Sequence, residues 1–460
     1  MNQGIALPRP SSVNQRIFHA AAAVAGVGVV VKFAATFKEF AVAGVYGRSD
    51  AMDAFLAAFL IPNLLINLIS ESLNQALIPT LIRVRIQEGH ARAQQLLSSS
   101  MVGMCLLLTA VSAAMAVIAR AFFPLIASNF PAAKLDLSVQ MFYVLLPVVL
   151  LGGIASNCTA VLNTFERFAV PALAPIVVPL SIVAGTLLMH NALGIWALVY
   201  STLFGSAIHA VIVAAMMNRR GYCFRLHWHG ANEATREVLH QYSPVLLSSI
   251  VASGGLLVDQ AMAAMLPAGS VSALVFASRF VSVAVTLLAG AVSSALVPYF
   301  SSMIAMKDWR GCRETLRTWV RITALVSIPI ACLLIAGSHF LIRMTLQHGA
   351  FGPRDTAVVT PVLAMYAIQI PFFVVSRVFY RFLVAMRRTD LVLYCGLINL
   401  VLDVALNLVL MRWLGVAGIA LSTSLWTIST LVFLGYWARR VLLDVETSSR
   451  NIPKRGLSEG

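Results

Sequence analysis

The sequence predicts an all-α polytopic membrane protein of about twelve transmembrane helices, arranged as two six-helix lobes around a central cavity. Of its 460 residues, 59% are hydrophobic and only 11% are charged, and the mean hydropathy is +0.86. A soluble domain carries about 25% charged residues. Apolar stretches long enough to cross about 30 Å of hydrocarbon recur along the whole chain. The short alternating segments of a transmembrane β-barrel are not seen.

Twelve spans are predicted, and several contain proline. A membrane helix tolerates proline where neighbours or water satisfy the freed carbonyl, so bends are expected. The spans cover 17–45, 51–79, 98–123, 139–163, 169–189, 193–216, 242–266, 270–298, 319–342, 357–384, 391–411 and 415–437. The expected organisation is a tail (1–16), a first lobe (17–216), a linker (217–241), a second lobe (242–437) and a second tail (438–460).

Lysine and arginine are divided unevenly between the two sides of the membrane. With the N-terminus inside, 22 of the 33 basic residues lie in cytoplasmic segments or at their edges, six lie in opposite segments or at their edges, and five lie deeper within spans. Because basic loops stay inside, this bias predicts a multi-pass protein of the inner membrane with both termini in the cytoplasm. The same bias explains the net charge of +15 without nucleic acid, which we do not expect as a partner.

The two halves of the sequence resemble each other. The stretch "LGIWALVYST" at 193–202 matches "LGVAGIALST" at 414–423, and "ALIP" at 76–79 matches "ALVP" at 295–298. Two repeats of six spans have the same orientation in the membrane. They are therefore expected to be related by an axis along the membrane normal, with a cavity between them.

Ionisable residues within the spans predict a binding site for an anionic head group. Each costs several kcal/mol at mid-bilayer unless it faces water or a partner. The candidates are Lys32, Lys38, Glu39, Asp53, Glu71, Arg279 and Arg377. The basic residues come from both halves, and a cationic cavity attracts a diphosphate. The alternative is that these charges pair to hold helices together, and Asp53 and Arg381 near span ends favour it most.

A second set of polar residues predicts a cation site. Asn399 and Asp403 are four residues apart and therefore share one helix face. Asp259 and Thr423, on other spans, would complete an oxygen cage for a small hard cation such as sodium. The alternative is that Asp259 and Asp403 each bond a neighbouring helix.

Five segments together resemble the MurJ/MviN family, lipid II flippases of the MOP exporter superfamily. They are "MDAFLAAFLIPNLL" (52–65), "ALIP" (76–79), "AVLNTFERFAVPALAPIVVPLSIV" (160–183), "LLVDQAMAAMLPAGSVSALVFASRF" (256–280) and "ALVP" (295–298). The resemblance covers about residues 17–437. It implies that Lys32, Lys38, Arg279 and Arg377 engage the lipid diphosphate and sugar. It also implies that Asp259, Asn399, Asp403 and Thr423 hold sodium.

The sequence departs from that family on the first helix, where it has lysine for the usual arginine and Glu39 for the usual aspartate, and at three further points. The family typically has fourteen spans, it has an acidic residue where this chain has Ser278, and it has a basic pair where this chain has Ile66 and Asn67. The member expected here is therefore divergent and shortened. Its substrate is lipid II or a related undecaprenyl-diphosphate-linked saccharide, such as an exopolysaccharide repeat unit.

The function predicted from these features is alternating-access lipid transport by a monomer. The predicted partners are the lipid-linked saccharide and membrane lipids, with sodium as the coupling ion and no cofactor. A multidrug or cation antiporter of the same superfamily is the first alternative, although it would favour an acidic, aromatic cavity. An enzyme acting on a polyprenyl phosphate would need paired carboxylates or histidines near an interface. The loops contain no such pair, so we predict no enzymatic activity.

Overall fold

The computed structural model describes residues 10–163, 169–230, 233–386 and 388–450, and its regular elements there are helical. The α-helices are α1 Pro10–Tyr46, α2 Asp50–Leu65, α3 Ser72–Gln87, α4 His90–Ile126, α5 Ala132–Asn163, α6 Ala169–Leu173, α7 Val177–Leu193, α8 Trp196–Asn218, α9 Glu233–Ala264, α10 Ser270–Ala305, α11 Trp309–Ala336, α12 Ser338–Thr345, α13 Pro353–Ala367, α14 Gln369–Ala385, α15 Thr389–Leu414 and α16 Val416–Arg450.

Ten stretches of the described chain are long and apolar enough to cross a membrane. They cover ten of the twelve predicted spans. The other two, 17–45 and 242–266, fall on α1 and α9. The all-α polytopic membrane fold is therefore confirmed, with a helix at the position of every predicted span.

Proline shapes several of these helices, as the sequence predicts. Pro62 lies inside α2, and a π-helical turn over Ile66–Glu71 then joins α2 to α3 without a break. The predicted span 357–384 is divided into α13 and α14. Pro371 lies in the first turn of α14, and it has no N–H group for the carbonyl of Ala367, where α13 ends.

The chain forms two compact units. The first comprises Met1–Ser253 together with Gly349–Phe351, and the second comprises Gly254–His348 and Gly352–Gly460. The boundary at Ser253 lies inside α9, which begins at Glu233 within the predicted linker. The division into lobes at 216 and 242 stays a prediction.

Small residues let helices of the first unit approach closely. A Cβ built on Gly185 of α7 would lie 2.4 Å from Cβ of Ser201 on α8. A Cβ built on Gly205 of α8 would lie 2.9 Å from Cβ of Ser181 on α7. Membrane helices rely on such contacts, because lipid provides no hydrophobic force between them.

Candidate functional site

Two lysines on α1 have different surroundings. Nζ of Lys38 lies 2.9 Å from a carboxylate oxygen of Glu39, and Glu39 itself is buried. Lys32 is exposed. Among the described residues, no carboxylate lies within 4.0 Å of the Lys32 amine. Lys32 is therefore a basic side chain in a predicted span that has no acidic partner in the described part of the chain.

Asp53 is part of a buried ion-pair cluster near the start of α2. Nζ of Lys134, on α5, lies 3.1 Å from Asp53 and 2.7 Å from Asp50, and 4.0 Å from the ring centre of Phe130. Asp53 and Lys134 are both buried, whereas the Asp50 side chain is 63% exposed. These contacts favour the structural alternative for Asp53, which ties α2 to α5.

Glu71 ends the π-helical turn in the first unit and is exposed. It accepts a hydrogen bond of 3.3 Å from Ser156 on α5, and Ser156 accepts one of 2.5 Å from the amide of Asn74. No ion pair of Glu71 occurs among the residues that the structure describes. The wide turn thus presents a carboxylate within a predicted span.

The candidate arginines of the second unit lie on α10 and α14. Arg279 is exposed, and its backbone carbonyl accepts a hydrogen bond from Ser282. The Arg377 guanidinium packs on Phe373 and Tyr380, at 4.3 and 5.4 Å from their ring centres. In the described chain, no carboxylate lies within 4.0 Å of Arg377. Its ring contacts hold it without neutralising its charge.

A cavity of about 160 Å³ lies between α14, α15 and α16 beside Arg377. Its polar lining residues are Ser376, Arg377, Tyr380, Asn399, Trp426, Thr427 and Thr430. Asn399 donates a hydrogen bond of 2.8 Å to Thr430, whose hydroxyl donates to the carbonyl of Trp426. Asn399, a predicted sodium ligand, therefore bonds α16 at this cavity.

Two buried carboxylates meet in the second unit. Nδ2 of Asn407 lies 2.8 Å from Oδ1 of Asp259 and 3.3 Å from Oδ1 of Asp403, so this amide bridges α9 and α15. Thr423 donates to Asp259 at 3.2 Å, and Ser422 donates to Asp403 at 3.2 Å. The structure thus brings together Asp259, Asp403 and Thr423 of the four predicted cation ligands.

The carboxylate cluster has unused oxygen acceptors. Oδ2 of Asp403 and Oδ1 of Asn407 are buried and have no hydrogen-bond partner among the residues that the structure describes. Carboxylate, amide and hydroxyl oxygens are the ligands that hard cations prefer. Asn407 was missed from the sequence, although it is four residues after Asp403, the same spacing that selected Asn399. Asn407, rather than Asn399, lies between the two carboxylates.

Long apolar helices with charged side chains within them define a polytopic membrane protein, and its fold is that of known MurJ and MATE structures. A solved structure described as "Lipid II flippase MurJ, inward closed conformation" matches with a TM-score of 0.78 and 21% identity, over 93% of this chain and 90% of that one. An inward-facing multidrug-resistance MATE family transporter of the MOP superfamily matches with a TM-score of 0.76 and 12% identity, over 93% and 99%.

Sequence comparison identifies the family. A family model described as "Lipid II flippase MurJ" matches residues 42–451, and the chain belongs to that family. A probable lipid II flippase MurJ of Buchnera aphidicola is 24% identical over 431 residues, 92% of this chain and 82% of that protein. The lipid II flippase MurJ of Burkholderia cenocepacia is 24% identical over 439 residues, 92% and 84%. The family is one of transporters rather than enzymes.

Proposed function

We propose that this protein flips an undecaprenyl-diphosphate-linked saccharide, with lipid II as the first candidate, across the inner membrane by alternating access. The observation that carries this proposal is the family match over residues 42–451. The relatives from Buchnera and Burkholderia are named as lipid II flippases, and each covers 92% of this chain. The lipid-linked head group crosses in polar surroundings while the polyprenyl tail stays in lipid.

Unneutralised basic residues support an anionic substrate. In the described chain, Lys32 of the first unit and Arg377 of the second unit have no carboxylate within 4.0 Å. A cation held in a low-dielectric span without a counterion costs several kcal/mol, and a bound diphosphate would offset this cost. That these residues share one cavity with Lys38 and Arg279 stays a prediction, and so do the substrate contacts of Glu39, Asp53 and Glu71.

The carboxylate cluster of the second unit supports sodium as the coupling ion. Asp259 and Asp403 are buried together, and Asp403 and Asn407 each have an unused acceptor. These oxygens would coordinate a sodium ion, and its positive charge would offset the repulsion between the two carboxylates. Its binding would reset the cycle after the head group is released. Asn399 bonds Thr430 through Nδ2, and its Oδ1 is buried without a hydrogen-bond partner among the described residues, so Asn399 stays a predicted ligand.

A related lipid-linked exopolysaccharide repeat unit is the second candidate substrate. Ser278 lies on α10 where the family has an acidic residue, and its hydroxyl donates 2.8 Å to the carbonyl of Val275. This position therefore offers neither a charge nor a free hydroxyl proton to a substrate. A different glycan next to the diphosphate would fit this change.

Rescue of growth distinguishes the two substrates. Cells depleted of their own lipid II flippase should grow when this chain is expressed in their inner membrane. If the protein is inserted and stable but growth is not restored, lipid II is not its substrate. Production of a surface polysaccharide in an exporter-deficient strain would then identify the second candidate. Accumulation or export of cationic dyes would instead indicate an antiporter.

A matched pair of variants tests the anionic site. Replacing Arg377 with alanine should abolish flipping of a fluorescent diphosphate lipid in proteoliposomes. Replacing the exposed Arg412 with alanine removes the same charge outside the candidate site and should leave flipping unchanged. Equal flipping by the two variants would contradict the proposed role of Arg377.

We further propose that both termini are cytoplasmic and that the protein acts as a monomer. Cys223 is exposed in the segment between α8 and α9, which lies on the cytoplasmic side in this orientation. A membrane-impermeant maleimide should label it only after the inner membrane is permeabilised. Labelling of Cys223 in intact spheroplasts would contradict the proposed orientation and place this segment on the outer side.

A further inference from the structure

The described segment that follows α8 has no regular secondary structure and is hydrogen-bonded to α4. We call residues 221–230 the strap. Its two terminal glycines, Gly221 and Gly230, both have φ of +86°. Gln94 of α4 donates 2.8 Å to the carbonyl of Cys223 and accepts 3.0 Å from the Cys223 N–H. Ser99 of α4 accepts from the N–H of His229 at 3.1 Å. These hydrogen bonds fix both ends of the strap on one helix.

Buried contacts secure the first end of the strap. Tyr222 is 1% exposed, and its ring lies 4.3 Å from the ring of His90, at the start of α4. The N–H of Phe224 donates 2.8 Å to the side chain of Asn218, at the end of α8. These contacts hold the backbone of the strap against α4 and α8 of the first unit. The held backbone determines which way the side chains of the strap project.

The strap nevertheless directs apolar side chains outward. Leu226 is 58% exposed and Trp228 is 49% exposed. A Cβ built on Gly103 would lie 4.0 Å from Cζ3 of Trp228, so the indole lies beside α4 at that level. Gly103 is nine residues beyond Gln94, which is about 14 Å along the helix axis. It also lies within the third predicted span, 98–123, so Trp228 reaches the depth where hydrocarbon begins.

Basic residues surround the first end of the strap, which Tyr222 secures. Arg219, Arg220 and Arg225 are exposed, and residues 219–230 contain no aspartate or glutamate. The arginines are close in sequence to Cys223, which is bonded near the start of α4, whereas Trp228 lies further along that helix. Tryptophan favours the membrane interface, and arginine favours the head groups above it. The order of the side chains thus follows the order of layers in a bilayer leaflet.

We propose that the strap binds anionic phospholipid in the adjacent leaflet, with Trp228 inserted at the interface and the three arginines on the phosphates. Arginine grips phosphate oxygens through paired N–H groups. A leaflet that contains phosphatidylglycerol is the partner that matches this charge. The surface is separate from the candidate transport residues, so the inference does not depend on which lipid is flipped.

Quenching of Trp228 fluorescence tests this proposal on the full-length chain in nanodiscs. The chain has seven tryptophans, so the Trp228 signal is taken as the difference between each protein and its Trp228→Phe counterpart. Brominated phosphatidylglycerol should quench this signal more strongly than brominated phosphatidylcholine. Salt should reduce the difference, because exposed charges are screened beyond about 8 Å at physiological ionic strength.

Two variants locate the effect. The triple variant R219Q/R220Q/R225Q should lose the preference for phosphatidylglycerol, by about fivefold for each arginine removed. Gln94→Ala should reduce quenching by either lipid, because the strap loses two of its hydrogen bonds. The control R310Q/R317Q/R321Q removes three exposed arginines from α11 and should behave as the wild type.

Two results would overturn the proposal that the strap binds anionic phospholipid. Absence of Trp228 quenching would show that the strap lies outside the bilayer. Equal quenching by the two lipids, or an unchanged preference in the triple strap variant, would show that the arginines do not recognise anionic head groups.

Discussion

Replacing Lys134 with methionine should destabilise the first unit by about 3 kcal/mol. Removing one partner of a buried ion pair costs about 3–5 kcal/mol, because the remaining charge stays buried after it loses that partner. Lys134 is 6% exposed and Asp53 is 1% exposed, so this pair is shielded from water. Asp53 lies in the first turn of α2, where the helix N-terminus stabilises a carboxylate by about 0.3–1 kcal/mol. This contribution places the expected cost at the lower end of the range.

The neighbouring carboxylates should give graded effects. Asp50 is 63% exposed at its side chain, so Asp50→Asn should cost under about 1 kcal/mol despite its 2.7 Å distance to Lys134. Asp53→Asn leaves Lys134 with Asp50 as a partner, and should cost about 2 kcal/mol. The double variant K134M/D53N should be more stable than the sum of the single effects predicts, because it removes both buried charges.

The free energy of unfolding is measured on the purified full-length chain in mixed micelles by titration with dodecyl sulfate. The thermal midpoint of unfolding ranks the same variants independently. A cost for Lys134→Met no greater than that for Asp50→Asn would show that burial of the Lys134–Asp53 pair does not govern stability here. Loss of the full sum of the two single effects by the double variant would show the same.

Three further predictions concern the candidate site and one turn. Sodium, but not potassium, should raise the unfolding temperature of the wild type. Asp403→Asn should remove this rise. An equal rise in the variant would exclude the Asp259–Asp403 cluster as the sodium site. Arg377→Lys keeps the charge but loses planar packing on Phe373 and Tyr380. The rate of lipid flipping should fall about tenfold, as expected for the loss of about 1–2 kcal/mol of cation–π interaction. A wild-type rate in this variant would show that charge alone suffices. Gly349→Ala places a Cβ 2.0 Å from the carbonyl oxygen of Gly44 at φ +60° and should lower the thermal midpoint. Gly352→Ala, where a Cβ meets nothing within 4 Å, is the matched control, and equal midpoints would contradict this account.

The sequence predicted the helices because their cause is local. A run of about 20 apolar residues must be helical in lipid, since each backbone group needs a partner within the segment. The break at Ile368 was missed because hydropathy continues through it from 357 to 384. The proline at 371 was a usable signal, but a proline within a span gives a bend, a wide turn or a break according to its neighbours.

The candidate site was predicted as a set of residues but not as a set of contacts. Lys134 is 81 positions from Asp53, and no local pattern connects a residue counted among the outer loops with a residue in the second span. Asp259, Asp403 and Thr423 were selected as polar residues within spans, and only the family resemblance implied that they meet. The sequence offers two candidates for the bridging amide, because Asn399 and Asn407 are each four residues from Asp403 and share its helix face. Only the packing of α15 against α9 and α16 decides between them.

The π-helical turn at Ile66–Glu71 has a consequence for how insertions and deletions act on this chain. A π-turn holds one residue more than an α-helical turn over nearly the same rotation about the axis. Loss of one residue from this turn would therefore leave a regular α-helix in which α3 keeps its rotational phase. Loss of one residue from the α-helical part of α2 would instead turn every later position by about 100°, and the arginines at 83 and 85 would face new neighbours. The π-helical turn is therefore the place where this transmembrane helix can lose a residue and still present the same faces.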